Sequence, residues 1–553
     1  MSGLHARAYD GALPRYSEEL IEHYRGEGYW GDETLTDRLR LVAATAPDRT
    51  AVVDGEERLT YGELVERVDA TRRGLTSLGI GRGDYVTIQL PNWWELVVAM
   101  FAIVEAGAVF VPTNVRMRGD LEYVLEYTGS RVLLLPETFH GFSYAELAAS
   151  FAERLPQLEH VIVVRPETDA PGLSFDALSA LGVSSDGATD ARPELSAGDP
   201  WQIIFTSGTT SAPKGVLRTH QNTMWTLRNL VQHYGLFRGD GSDVSLAVLP
   251  IAFIFAQYLN ELGALLYGGK LVLQERFDAA EALDLIEREG VTYTGVVPSM
   301  VPTFLDVPGI LERSFPTMRV VAPAGEAVTR ERKEQIEQIF GCSTCECYGL
   351  AEMTWPLAQR PDTDYERRMS TTGFPSPGAE LRVVDDDGND LGVEEVGELL
   401  LRGPTLFPGY FKNAEATAAA IDDDGWFRSG DLVRLDAGGH YSICGRKKDL
   451  IKRSGVQVLP QEIEDALEEH PAVHAVGVVG LPDDRRGEIA CACVVLKPGE
   501  SVEPEELLEF LRGRLATYKL PERFELMDSL PLSPNGKVLK AELRARVIEA
   551  PTV

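Results

Sequence analysis

The sequence predicts an α/β protein: a large N-terminal body of doubly wound, mostly parallel sheets with a small β-barrel-like part, followed by a small α+β unit at the C-terminus. Three observations carry that expectation. Short apolar runs alternate with amphipathic helical stretches from about Asp32 to Ala322, the texture of parallel strands joined by helical crossovers. Between Glu380 and Cys444 the pattern changes to short runs separated by turns, which suits antiparallel strands. A chain of 553 residues is also too long for one hydrophobic core, and a second unit is expected from near residue 449.

In chain order, Leu64 to Leu78 reads as an amphipathic helix, Gly79 to Asp84 as a turn, Tyr85 to Leu90 as a strand and Trp94 to Ala106 as a helix. Apolar strands follow at Ala108 to Val111, Arg131 to Leu135 and Val161 to Val164. Gly79-Ile-Gly81-Arg-Gly83 resembles the start of a dinucleotide fingerprint but precedes a strand instead of following one, so a plain turn is the better reading. Strands recur at Val244 to Leu249, Lys270 to Leu273, Val291 to Val297 and Arg319 to Ala322, with a helix over Asp278 to Glu289. Glu380 to Val384, Gly397 to Arg402 and a hairpin over Val433 to Cys444 form the antiparallel part. The last unit has helices at Gln461 to Glu469 and Pro504 to Leu515, with strands at Val473 to Val479 and Ile489 to Leu496.

The net charge of −32, from 85 acidic against 53 basic residues, argues against nucleic acid or anionic membrane as a partner, because both need a basic footprint. No run approaches the roughly 18 apolar residues of a membrane span, and Met1 to Asp10 lacks a signal pattern. A soluble cytoplasmic protein is expected, and a homodimer stays open. Cys342, Cys345, Cys347, Cys444, Cys491 and Cys493 form no second paired cluster at zinc spacing, which favours reduced, buried thiols.

The most telling stretch is Ile203 to Gly215, an apolar run that breaks into Thr206-Ser207-Gly208-Thr209-Thr210-Ser211 and ends in Pro213-Lys214-Gly215. It reads as a strand feeding a phosphate-gripping loop: glycine admits close backbone N–H donors, the hydroxyls add more, and the lysine supplies countercharge. The P-loop pattern fails at two positions, since Pro213 stands where its second glycine belongs and Gly215 where it needs Ser or Thr. A polar surface loop is the plain alternative. Tyr348-Gly349-Leu350-Ala351-Glu352 ends in a carboxylate suited to Mg²⁺ beside phosphate oxygens; an ordinary turn fits that segment alone as well. Trp426 to Asp431 puts an acid after a glycine, suited to ribose hydroxyls. Arg446, Lys447, Lys448, Lys452 and Arg453 gather five cations within eight residues of an otherwise acidic chain, and Lys537 rides a loop shaped by Pro534 and Gly536.

Together with Leu59-Thr60-Tyr61-Gly62-Glu63, Gly373-Phe374-Pro375, Gly397-Glu398-Leu399, Gly409-Tyr410-Phe411 and Pro460-Gln461-Glu462-Ile463-Glu464, these motifs in this order resemble the adenylate-forming superfamily. That group holds acyl-CoA and aryl-CoA synthetases, aryl acid AMP ligases, peptide-synthetase adenylation domains and luciferases. The resemblance implies domains at 1–447 and 448–553, the second mobile. It implies that Thr206, Ser207, Gly208, Thr209, Thr210 and Lys214 hold the β and γ phosphates of ATP and that Glu352, with Thr209, binds Mg²⁺. Ala324, Gly325 and Glu326 with Cys347, Tyr348 and Gly349 would enclose adenine, while Asp431 and Arg446 would bind the ribose. Catalysis would fall to Lys537, Glu352 and Thr206. Lys448 would be the hinge about which the second domain turns, bringing Ser454 and Gly455 to the site for the thiol step with CoA. Serine at 211 replaces the glycine common in the family.

The acid pocket of the family follows Leu249-Pro250, where dihydroxybenzoate ligases carry a histidine and then an asparagine that reads the ring hydroxyl. Here Phe253 and Ile254 stand in their places, and with Phe255 and Trp355 they imply an apolar small-molecule carboxylic acid, fatty, carbocyclic or aryl. The expected activity is an acyl-CoA ligase; the alternative is an aryl acid AMP ligase loading a carrier protein.

Overall fold

The structure, a computed structural model, describes residues 16–151, 154–168, 172–184, 191–206, 213–326, 328–483, 485–532 and 537–549. Two seven-stranded sheets form the large body. One runs, edge to edge, through Lys214–Thr219, Pro200–Thr206, Val109–Pro112, Tyr85–Ile88, Val132–Pro136, His160–Val164 and Leu173–Ser174. The other runs through Ser343–Thr344, Val320–Pro323, Tyr293–Val296, Val244–Ala247, Lys270–Leu273, Thr50–Asp54 and Glu57–Thr60. Within each sheet all neighbours are parallel except one edge pair, so the mostly parallel α/β class holds.

The helix Trp94–Glu105 is buried on every side from Glu95 onward. Its apolar residues join one core with Val52 and Leu59 of one sheet and with Val86, Ile88 and Phe110 of the other, as expected of a helix apolar all round. Its two carboxylates are paired, Glu95 with Arg165 at 2.7 Å and Glu105 with Arg40. Removing either arginine would strand a buried charge, a cost of about 3–5 kcal/mol.

Several expected strands end early. The run Tyr85 to Leu90 stops at Ile88 and Val244 to Leu249 at Ala247, ahead of Pro91 and Pro250, which have no N–H for a ladder. The helix expected to Leu515 stops at Arg512, with Gly513 as its cap. The strand Lys214–Thr219 and the helix His220–Gln232 escape sequence reading, because their polar composition hides burial that only packing imposes.

A three-stranded sheet (Cys347–Tyr348, Leu357–Ala358, Phe374–Pro375) and a four-stranded one (Glu380–Val384, Val396–Arg402, Phe427–Leu435, Tyr441–Arg446) are antiparallel and joined by a bridge between Gly373 and Tyr441. Leu357, Val383, Leu399, Leu401, Phe427 and Val433 share one core, the barrel-like part. From Ile451 onward a separate sheet carries its own cores. On its central strand Gly487–Leu496, Ala490, Ala492 and Val494 face the helices Pro460–Glu468 and Pro504–Arg512, while Cys491 and Cys493 face Leu543 and Val547 of Lys540–Glu549. That is the period-two alternation of a strand covered on both faces. All six cysteines are free thiols. Among the described residues no helix is long and apolar enough to cross a membrane.

Candidate active site

The antiparallel edge of the first sheet frames the loop that opens the site. Thr206 and Lys214 pair across it, and the Thr206 hydroxyl approaches the Lys214 carbonyl at 3.4 Å. The chain therefore returns as a strand, not a helix, a further departure from P-loop geometry. Ser207, Gly208, Thr209, Thr210 and Ser211 lie outside the described residues. A side chain at Gly215 would meet Ile203 Cγ2 at 2.9 Å and Phe411 Cβ at 3.3 Å, so the strand passes beneath Phe411 only as glycine.

Lys214 Nζ stands 4.9 Å from the centre of the Tyr410 ring, and the Tyr410 hydroxyl donates to Glu352 Oε1 at 2.7 Å. Burial pushes the Glu352 carboxyl above its ordinary range, while the Tyr410 hydrogen bond and the Lys214 charge oppose that shift. The backbone of Glu352 is pinned too: its carbonyl accepts Phe407 N at 2.6 Å, and Met353 bridges Leu406. Tyr410 is a functional neighbour that sequence reading placed in a motif without giving it a role.

Among the described residues no group of three or more His, Cys, Asp or Glu side chains gathers as a metal cage. One half-buried carboxylate near Lys214 fits Mg²⁺, which keeps few protein ligands and takes the rest from phosphate and water. Glu352 would hold it, and the ion would supply charge neutralisation to the polyphosphate.

The residues expected to hold the nucleotide lie at the carboxyl ends of the second sheet's strands, where open α/β sheets bind ligands. Ala324, Gly325 and Glu326 follow Val320–Pro323; Cys347, Tyr348 and Gly349 follow Ser343–Thr344. Gly325 takes φ +94°, closed to most side chains. Tyr348 donates its hydroxyl to Asp431 Oδ2 at 2.6 Å, and Arg446 Nε sits 3.2 Å from Asp431 Oδ1. Both partners are fixed by the ladder, in which Asp431 and Arg446 are register neighbours. Burial raises the Asp431 carboxyl, and Arg446 followed by Tyr348 pulls it down.

The C-terminal lysine reaches this place. A methyl built on Gly325 would lie 3.7 Å from Lys537 Cε. Burial lowers the Lys537 ammonium, the Arg446 charge lowers it further, and Glu326 and Asp431 oppose. Lys448 lies in the turn Lys447–Asp449 between Tyr441–Arg446 and Ile451–Arg453, where Lys447 Nζ pairs with Glu398 at 3.0 Å and Asp386 at 2.9 Å. Ser454 and Gly455 form an exposed hairpin tip at φ +51° and +83°, with Ser454 N bonded to Arg486 O. The structure thus gathers Thr206, Lys214, Glu352, the segments 324–326 and 347–349, Asp431, Arg446 and Lys537, and leaves Ser454 and Gly455 on that tip.

Phe253 caps a short helix, Ile254–Ala256, that runs into a π-helix over Gln257–Leu262. The Trp355 ring, buried and held at φ +47°, stacks with Phe255 at 5.7 Å and 22° and with Tyr258 at 5.9 Å and 15°. Gly295 makes room, since a Cβ there would meet the Phe255 ring at 2.9 Å. Tyr258 and Gly295, which pack against Trp355 and Phe255, were not singled out from the sequence. The one available signal was a tyrosine three residues from Phe255, which reads equally as core.

The chain matches the family described as AMP-binding enzyme over residues 39–411 and the AMP-binding enzyme C-terminal domain over residues 462–537. It is 34% identical over 539 residues, 97% of either chain, to a 2,3-dihydroxybenzoate-AMP ligase of Bacillus subtilis (strain 168). It is 32% identical over 544 residues, 96% of this chain and 94% of the other, to a medium-chain fatty-acid–CoA ligase of Escherichia coli (strain K12). Among solved structures it resembles the anthranilate CoA ligase AuaEII in complex with anthranoyl-AMP, with a TM-score of 0.85 and 25% identity over 93% of this chain and 97% of that one.

Proposed function

Because the chain belongs to the family of AMP-binding enzymes, we propose that it activates an apolar carboxylic acid with ATP as acyl-AMP and then passes the acyl group to CoA. A carboxylate is a poor electrophile. In the first step its oxygen attacks the α-phosphorus of ATP and pyrophosphate leaves; in the second a thiol attacks the acyl carbon and AMP leaves. The observation that carries this reading is the position of Lys537, beside Gly325 and in the field of Asp431 and Arg446. A cation there bridges the substrate carboxylate and the α-phosphate, offsets their repulsion and stabilises charge that builds in the transition state. Lys214 with the hydroxyls of the loop binds the outer phosphates, Glu352 the Mg²⁺, and Asp431 with Arg446 the ribose.

The stack of Phe255, Trp355 and Tyr258 supports a flat apolar acid, aryl or carbocyclic, over one bearing many polar groups. The relatives that carry aryl acids in their names support the same class. CoA is the acceptor in this reading. The B. subtilis relative, named only as an AMP ligase, supports the second one, transfer to a carrier protein. Reduced thiols and the demand for ATP and CoA favour the cytoplasm.

Trapping of acyl-AMP with hydroxylamine across aryl, cycloalkyl and fatty acids, with pyrophosphate release as a second readout, tests the first step. Adding CoA or a carrier protein in its pantetheine form then separates the acceptors. Pyrophosphate release that no carboxylic acid stimulates would defeat the proposal.

A further inference from the structure

Arg218 is fully buried, at 0% exposure, and among the described residues no carboxylate pairs with it. Such a cation is expensive to place in a core unless hydrogen bonds satisfy every donor. Its partners here are neutral. Nη1 donates to the carbonyls of Thr405 at 3.0 Å, Ala351 at 3.4 Å and Glu352 at 3.5 Å; Nη2 donates to Thr354 Oγ1 at 3.0 Å; Nε donates to the Tyr258 hydroxyl at 3.2 Å. Two of those acceptors are themselves anchored, Thr354 to Thr226 at 2.6 Å and Tyr258 to Thr223 at 2.6 Å.

The partners are not a random sample of the core. Glu352 is the candidate metal carboxylate, Thr354 adjoins Trp355, and Tyr258 stacks on Trp355. Arg218 also stands on the strand Lys214–Thr219, on the same face as Lys214 by the alternation of strand residues. One planar fork therefore touches the backbone that aims Glu352 and both walls around the Trp355 ring. No other cationic side chain offers that many donors in fixed directions.

We propose that Arg218 is a positioning residue that sets the Glu352 carboxylate and the Trp355 wall of the acid pocket together, so that metal-nucleotide binding and acid binding share one buried anchor. This rests on the function proposed above. Lysine in its place keeps the charge but not the fork, and a displacement of about 1 Å at such a site is enough to cost on the order of 10²-fold in rate.

The test compares wild type with R218K and T354V, the latter removing the Nη2 acceptor together with its bond to Thr226 while leaving the Nη1 and Nε contacts. Calorimetric titration with ATP, with and without Mg²⁺, reads the metal side without any turnover. In R218K the Mg²⁺-dependent gain in ATP affinity is expected to fall about 10-fold or more while binding of metal-free ATP stays within about twofold. Acid-dependent pyrophosphate exchange reads the pocket side: in both variants KM for the acid rises about 10-fold, and in T354V the Mg²⁺ effect changes little. An R218K protein that melts normally and keeps both the Mg²⁺ gain and the acid KM of wild type overturns the proposal. Should R218K fail to fold, T354V decides alone, and an unchanged acid KM there overturns it equally. If wild type itself shows no acid-dependent exchange, the proposed reaction fails, while the Mg²⁺–ATP titration still judges Arg218.

Discussion

The carboxyl of Glu326 and the ammonium of Lys537 face each other across the seam between the large body and the C-terminal unit, and burial moves both toward their neutral forms. It raises Glu326 from its ordinary 4.5 to about 7 and lowers Lys537. Lys537 pulls Glu326 back, Glu468 and Glu464 push it up, and Val538 N donates to it. Across the seam Thr329 bonds Glu468 at 3.2 Å, Arg332 lies 3.9 Å from the same carboxylate, and Asp465 is likewise raised to about 7.

A raised carboxyl binds its proton more tightly in this buried contact than in water, so if the C-terminal unit undocks as expected, the docked state carries the extra proton between pH 4.5 and about 7. Docking is therefore strongest at the acid end of that window and weakens as pH rises through it, by about 3 kcal/mol at most for a shift of this size. The lowered lysine acts in the opposite sense, restoring stability only as pH climbs toward its ordinary 10.5. Glu326→Gln should flatten the pH dependence of proteolytic cleavage near Lys448 between pH 5 and 7. A wild-type slope in that variant would assign the effect to Asp465 and Glu468 alone.

Tyr410 donates a hydrogen bond to the Glu352 carboxylate, 2.7 Å at Oε1. Tyr410→Phe keeps the ring beneath Lys214 and removes that donor, leaving a half-buried carboxylate that ionises less readily. A hydrogen bond to a charged group is worth about 1.5–3 kcal/mol, so the Mg²⁺ concentration for half-maximal pyrophosphate exchange should rise about 10-fold or more, most strongly at low pH. A metal titration at two pH values checks this, and curves that superimpose on wild type would exclude Tyr410 from the metal side.

In the proposed pocket, selectivity would turn on Ile254, half-buried at the start of the helix Ile254–Ala256. An apolar side chain cannot compensate a hydroxyl taken from water, a penalty of about 1–3 kcal/mol in proteins. Hydroxybenzoates should therefore trail unsubstituted apolar acids of similar size about 10-fold or more in kcat/KM. The comparison is direct in the trapping assay, where 2,3-dihydroxybenzoate emerging as the fastest acid would refute the pocket reading.

Lys537 and Lys448 test the division of labour between two half-reactions. Lys537→Ala should suppress acid-dependent pyrophosphate exchange by about 10²-fold or more, as loss of a preorganised charge does, yet leave conversion of supplied acyl-adenylate to thioester. Lys448→Pro, which fixes φ and removes an N–H in the turn Lys447–Asp449, should let adenylate accumulate and slow thioester formation. Equal loss of both steps in two folded variants would make the C-terminal unit a static lid.

Local chemistry determined what the sequence alone could tell. Strand periodicity marked the central strands of both parallel sheets but not Thr50–Asp54, Glu57–Thr60 or Lys214–Thr219, and spaced motifs named Lys214, Glu352, Asp431, Arg446 and Lys537 because each needs a particular residue type beside a turn or a strand end. The boundaries slipped where proline or glycine ended an element. What only tertiary structure decided is who faces whom. Tyr410 and Glu352 are 58 residues apart and meet because Met353 bridges Leu406. Nothing in Val-Leu-Arg-Thr marks Arg218, which only the fold buries against carbonyls 133 to 187 residues away. Tyr258 carries no local mark that sets it beside Trp355, whose backbone, bent to φ +47°, lays the two rings together. Periodicity reports which face of an element is buried, but the partner on that face is chosen by the packing of distant segments, which no local pattern records.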